Sequence, residues 1–473
     1  MLTSTNEAVT TAQPAGKICP TCSLPGPTDG VLCRRCFTDL RHTPIVEVEH
    51  PTTRSGLQGA LERAWDASLD HPWFSGAAIA LAALAVLFYV QVIHPAGPLP
   101  APQSGSSLSV SADSETWPLV HGDLAASRTT SAPALLDGEI AWTRQFDSPV
   151  AVPIVTGKSA LYVALEDGSL FALALEDGRE LWSLHVSGRL DAAPTIAGDL
   201  LFVPFRGGRI VALEGDTGRE RWSTTVRGPV YSSLVVSDGF VIAAASTALV
   251  GLDATSGTVL WEQETDGEFV TVAPIVTEDR IAVATNDRLQ IFDRRTGERR
   301  YFFNLPDPTW LAGSTGSVTA MSGRWLYTFD KDETNPWWEP VRGGWANLYV
   351  FGLAPEVPLP AFRWRARIDR DALGPVVQDE RVIVAWPSGE IHAYDSVTGE
   401  VLWTRDGNPI AGAPVLTSDG LLVIEPGGVA VLDEVTGNEL SRRDFSEIEL
   451  REGPPTAQGL VLVTASDAVV LMR

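Results

Sequence analysis

The sequence predicts an all-β, eight-bladed propeller, preceded by a small four-cysteine zinc ribbon and a single transmembrane helix. Three observations carry this. Tryptophans recur at a period of about forty residues, glycine turns recur in step with them, and all four cysteines lie at or before position 36. Trp142, Trp182, Trp222 and Trp261 are spaced by 40, 40 and 39 residues, Tyr301 continues the series, and Trp364 and Trp403 resume it after a gap of 63. Self-similarity at this period marks a repeat architecture whose units each bury a face against the next.

The elements follow in order. Residues 1–54 read as a cytosolic zinc-ribbon segment with its core at 17–38. Cys19-Pro-Thr-Cys22 and Cys33-Arg-Arg-Cys36 are two C-x2-C pairs ten residues apart. Two such knuckles facing each other supply four thiolates to a tetrahedral Zn site. A structural zinc contributes roughly 10–16 kcal/mol of folding free energy, enough to order a segment with no other core. Two disulfides, or four unrelated cysteines, are the bland alternative. A closed four-cysteine site has no open coordination position and so points to structure or docking, with a cytosolic protein as the partner it suits.

Residues 55–72 read as a juxtamembrane helix on the inner interface, or as the start of a longer one, because Leu57, Leu61, Ala64, Trp65, Ser68 and Leu69 recur near helical spacing. Residues 73–93 (WFSGAAIALAALAVLFYVQVI) hold 21 residues without a charge, long enough at 1.5 Å per residue to cross a ~30 Å hydrocarbon core. Six basic residues precede this stretch and none follows it until Arg128, which puts the N-terminus in the cytosol and the rest outside the plasma (inner) membrane. A reducing cytosol is also where cysteines remain available as zinc ligands. Residues 94–115, rich in Pro and Ser, read as a flexible linker.

Residues 116–473 are the propeller. Each repeat holds short β-rich runs, such as Ala160–Ala164 and Leu170-Phe171-Ala172-Leu173, then a glycine turn, then the Trp strand. An earlier run begins at Pro153, Pro194, Ser233, Pro274, Ser317, Pro375, Pro414 and Pro455, which counts eight innermost strands. Proline suits a strand that is a sheet edge. The last repeat ends before an outer strand, and Glu139–Arg144 has that strand's pattern, so the termini are expected to close the ring.

The segments ALYVALEDGSLFALALEDGRELW and LLFVPFRGGRIVALEGDTGRERW, with the lead-in Trp117-Pro118-Leu119-Val120-His121-Gly122-Asp123, resemble the tryptophan-docking repeat of the PQQ-like (quinoprotein alcohol dehydrogenase-like) β-propeller family. The resemblance implies either a quinoprotein dehydrogenase or a non-enzymatic propeller. In the enzymes, PQQ lies between a Trp and a vicinal disulfide and Ca²⁺ is held by Glu, Asn and Asp. No Cys follows Cys36 here, which argues against PQQ and for a non-enzymatic, membrane-anchored member. No catalytic or cofactor-binding residue stands out, and the seven His are scattered. A net charge of −24 repels phosphate backbones, so no nucleic acid is expected.

One blade is irregular. The segment DKDETNPWWEPVRGGWA lies between Tyr327-Thr328-Phe329 and Asn347–Phe351 and carries Trp337, Trp338, Arg342 and Trp345. Read as an enlarged hairpin between second and third strands, it shares a face with Trp310 and Trp386. Aromatic and Arg side chains form interface hot spots, so this face is the expected site for an extracytoplasmic protein, peptide or glycan. The same insertion could instead fold over the channel mouth and bury its own indoles. The expected function is a protein- or ligand-binding scaffold, with a PQQ-dependent oxidoreductase as the alternative.

Overall fold

The computed structural model describes residues 116–136, 138–185, 190–246, 248–265, 272–314, 316–330, 362–445 and 448–473, with 107–110, 113 and 115 ahead of them, and 15–21, 23, 25, 26, 28, 31–33 and 39–47 near the N-terminus. The chain divides into two units, residues 1–93 and 94–473. Among the described residues there is no helix, hence none long and apolar enough to cross a membrane. The expected juxtamembrane helix at 55–72 and span at 73–93 lie outside the described residues.

In the second unit, eight antiparallel sheets follow one another along the chain. Blade 2 shows the plan: Thr195–Ala197, Leu200–Pro204, Arg209–Glu214 and Glu220–Thr225 pair in sequence order. Its second strand is buried at every position, because blades cover both of its faces, whereas the outer strand alternates between exposed and buried positions. This is why the inner runs read as continuous apolar segments and only the outer strand shows a period of two. Ring closure is as expected: Ile140–Arg144 pairs with Val469–Met472 and supplies the outer strand of blade 8.

Blade 5 corrects the strand assignment. Its innermost strand is Pro308–Gly313, and Ser317–Ser322, which begins at the serine expected to open the innermost strand, is the second. Trp325–Asp330 is therefore third, Phe362–Arg367 fourth, and residues 331–361 join third to fourth rather than second to third. Pro308-Thr-Trp-Leu-Ala-Gly carries a single β-branched residue and so reads weakly as a strand, yet it completes the four strands with a tight link at 314–316.

Strand direction alternates, so links between blades and second-to-third hairpins emerge on one face, here called upper. First-to-second hairpins and third-to-fourth connections emerge on the lower face. Residues 331–361 consequently leave blade 5 at its lower rim, opposite to the expected side.

The first unit contains a three-stranded sheet in which Ala15–Ile18 pairs with Pro25–Gly26 and with Ile45–Glu47.

Candidate functional site

The repeated tryptophans do structural work between blades. The Trp182 indole N–H donates to the Gly215 carbonyl at 2.7 Å, and Trp222, Trp364, Trp142 and Trp403 donate to Ala254, Ser396, Leu175 and Glu434 at 2.9 to 3.1 Å. Each ring lies on the turn glycine of the following blade: a Cβ on Gly218 would stand 2.8 Å from the Trp182 ring, and Gly257 faces Trp222 in the same way. Both glycines have positive φ, so the turn needs glycine for its backbone as well as for the ring above it. In all eight blades a β-bulge immediately precedes the docking position on the outer strand, which re-aims the side chain there toward the neighbouring blade. The two blades without Trp there face the two blades without that turn. Tyr301 of blade 4 precedes blade 5, with its long 331–361 connection, and Ser441 of blade 7 precedes blade 8, whose outer strand comes from the other end of the chain.

A second feature was not foreseen from the sequence: the lead-in threads the channel. Trp117 exchanges backbone hydrogen bonds with Thr156 of blade 1, and Pro118, Leu124, Ala125, Ser127 and Arg128 accept from Ile196, Val276, Gly313, Val377 and Leu416 of blades 2, 4, 5, 6 and 7. Residues 108–110 bind blade 3 through Val236, Asp238 and Gly239, so the last part of the expected linker at 94–115 rests on the propeller. Arg128 clamps this plug. Its guanidinium donates to the Pro414 and Ala413 carbonyls, each at 3.0 Å, and meets His121 Nδ1 at 3.1 Å. Burial, reinforced by the Arg128 charge, pushes the His121 imidazole down to about 3. The sequence signal for the plug was the WPLVHGD phrase alone, since its contacts are all long-range.

The plug leaves a cavity at each mouth. The upper one, about 310 Å³, is lined by His121, Asp191, Tyr231, Ser232 and Trp310 among others. Asp191 meets Arg206 at 3.4 Å, and Arg206 lies over the Tyr231 ring. The lower cavity, about 710 Å³, is lined by Asp123, Ser127, Thr277, Glu278, Ser314 and Gln378 among others. Burial raises the Asp123 carboxyl above its usual range, against hydrogen bonds from the Ser127 hydroxyl and N–H.

Of the expected site residues, Trp310 and Trp386 come together in the core between blades 5 and 6, beneath the upper face. Trp310 is half-buried, its ring 5.0 Å from His121 and against Gly374; Trp386 is 5% exposed and packs on His392 at 4.9 Å. Trp337, Trp338, Arg342 and Trp345 lie outside the described residues, in the connection that leaves the lower rim. The insertion that carries these four residues sits one strand later than expected, between the third and fourth strands.

Of the four cysteines, Cys19 and Cys33 are described and buried together against Leu40, while Cys22 and Cys36 lie outside the described residues. The Ser23 N–H donates to the Cys19 carbonyl at 2.9 Å, and Ser23 has φ of 57°, the left-handed conformation in which a knuckle favours glycine. Two cysteines buried in one cluster have the donor chemistry of a thiolate metal site.

The residues of the channel do not fit PQQ. With no cysteine after position 36 there is no disulfide to face a tryptophan. Trp310, at the upper mouth, already has its ring against His121 and Gly374, and among the described residues no group of three His, Cys, Asp or Glu is placed to hold a metal ion.

Docked tryptophans, eight sheets and strand exchange between the termini define a closed eight-bladed β-propeller of PQQ-type repeats. The chain belongs to the PQQ-repeat family described as "Outer membrane protein assembly factor BamB", whose model matches residues 101–235, 228–334 and 361–428. Among solved structures, BamB from Moraxella catarrhalis is similar at 17% identity and TM-score 0.53, covering 71% of this chain and 99% of its own. The computationally designed Ika8 protein matches at 15% identity and TM-score 0.56, over 71% of this chain and all of its own. Quinohemoprotein alcohol dehydrogenase from Comamonas testosteroni matches at 12% identity and TM-score 0.53, over 76% and 80%. At these identities the likeness is one of fold. No curated protein matches the chain.

Proposed function

We propose that this chain is a single-pass, membrane-anchored scaffold whose extracytoplasmic propeller binds a protein, peptide or glycan and whose cytosolic N-terminus carries a structural zinc ribbon. The observation that carries the reading is the plug. Residues 117–128 line the inner strands of blades 1, 2, 4, 5, 6 and 7 with the chain's own backbone and border the cavities at both mouths. What remains for function is the outer surface and the rims, which is how a docking scaffold is built. The family description, an assembly factor, is in keeping with a role carried by binding rather than catalysis. Placement in the plasma membrane rests on the uncharged stretch 73–93 and the basic residues ahead of it. Zinc by Cys19, Cys22, Cys33 and Cys36 rests on their paired spacing and on the burial of the two described thiols.

The test is crosslinked pull-down from intact cells with the full chain and with its Trp337→Ala/Trp338→Ala variant. The variant is expected to lose its partner, and undiminished recovery would overturn the role of the insertion. Bound chromophore after titration with PQQ and Ca²⁺ would overturn the scaffold reading itself.

A further inference from the structure

The outer strand of blade 5, Phe362–Arg367, has the sequence Phe-Arg-Trp-Arg-Ala-Arg, with arginine at every second position. It pairs only with Trp325–Asp330, so among the described residues its other backbone edge is unpaired. The positions equivalent to Arg363, Arg365 and Arg367, counted from the docking residue, hold Leu181, Ser183 and His185 in blade 1, and Leu260, Glu262 and Glu264 in blade 3. In no other blade are all three basic.

The guanidiniums of this strand are also differently committed. Several outer-strand arginines of other blades meet carboxylates, as Arg144 does with Glu180 and Arg405 with Glu439. Arg365 and Arg367 are exposed, as is Arg324 in the adjoining upper hairpin, and none of these three pairs with a carboxylate among the described residues. Arg365 stacks on the half-buried Trp325 ring at 4.5 Å, and Trp325 stands directly opposite Arg367 in the strand register. A guanidinium held on an indole is pre-oriented and keeps its N–H fork for an incoming anion. All this sits in a chain of net charge −24, where two edge arginines and a third beside them, without carboxylate partners among the described residues, are a local reversal of sign.

We propose that the outer edge of blade 5 captures an acidic polypeptide segment as an added β-strand, with Arg365 and Arg367 pairing alternate carboxylates and Arg324 flanking the site. The period-two spacing selects a polypeptide, since an antiparallel strand presents side chains to one face at that period and an open edge supplies backbone hydrogen bonds. Opposite charges directly across the strand pair then set its register. The arginines stand toward the upper end of the strand, whereas residues 108–110 bind the lower hairpin of blade 3.

This inference rests on the scaffold reading and names its partner chemistry. The probe is a fluorescein-labelled peptide of twelve residues alternating Glu and Val, titrated against the full chain in detergent at low salt. Binding is expected to weaken roughly tenfold or more in Arg365→Glu/Arg367→Glu, with an unchanged melting temperature showing that the exposed variant still folds. Methylating alternate backbone nitrogens of the peptide is expected to abolish binding. Equal affinity of the charge-reversed variant overturns the proposal, as does equal binding of the methylated peptide, and so does an oligouronate of the same charge that competes as well as the peptide. If the Trp337/Trp338 pull-down still behaves as expected while these titrations fail, the scaffold stands and only this edge is excluded.

Discussion

Five of the six docked indoles make one hydrogen bond and one ring-on-glycine contact, Trp261 making the ring contact alone, and these two terms are separable by mutation. Trp222 is 8% exposed, so Trp222→Ala is expected to cost about 3–5 kcal/mol, read as a shifted unfolding midpoint, whereas Trp222→Phe, which keeps most of the ring, is expected to cost about 1–2. Gly257→Ala should approach the alanine variant in cost, since a Cβ there stands 2.5 Å from the Trp222 ring and the backbone has φ of 70°. A milder effect would show that the turn can shift away. His121 contributes a pH dependence whose sign follows from its depressed basicity. Between its ordinary 6.5 and about 3 the unfolded chain binds a proton that the folded ring refuses, so the stability His121 lends is full above pH 6.5 and is lost as pH falls through that window. His121→Asn should flatten stability against pH below 6.5 relative to the parent, and parallel curves would rule His121 out as the source. The docking positions were legible in the sequence because they repeat. Arg128 was not, because the Ala413 and Pro414 carbonyls that it holds lie 285 and 286 residues away.

At the scale of elements, the plug behaves as a strap closed by one clamp. Arg128→Ala removes three hydrogen bonds to the His121 ring and blade 7 and is expected to cost about 2–3 kcal/mol and to speed amide exchange at Val377 and Leu416, whose N–H groups the strap accepts. Unchanged exchange at both amides would mean that the strap is held by its backbone bonds alone. At the cysteine knuckle, Ser23→Gly should relieve about 1 kcal/mol of left-handed strain and tighten the proposed zinc binding, measured by competition with a chelator. Blade 5 shows where element-level reading fails. Its strands at 308–313, 317–322 and 325–330 follow one another so closely that the proline and serine markers admit two framings one strand apart. Only the pairing of Trp310 with Met321, and of Thr328 with Trp364, decides between them.

For the whole molecule, the closed ring removes the edge that Val469–Met472 would otherwise expose, and Ile140–Arg144 is the piece that closes it. A chain beginning at residue 145 is expected to self-associate in sedimentation velocity while one beginning at 107 stays monomeric, because an unpaired apolar strand is a template for another chain. Monomeric behaviour of both would show that the third strand of blade 8 is protected in some other way. The sequence by itself determined the eight-bladed ring, the exchange of strands between its ends and the docking tryptophans, since a forty-residue unit cannot bury its faces alone and must repeat the residues that join it to the next. Tertiary structure decided which strand of blade 5 carries the insertion, that the lead-in plugs the channel, and that Trp310 and Trp386 pack between blades. Those outcomes depend on contacts between residues up to 286 apart, which leave no local period in the chain.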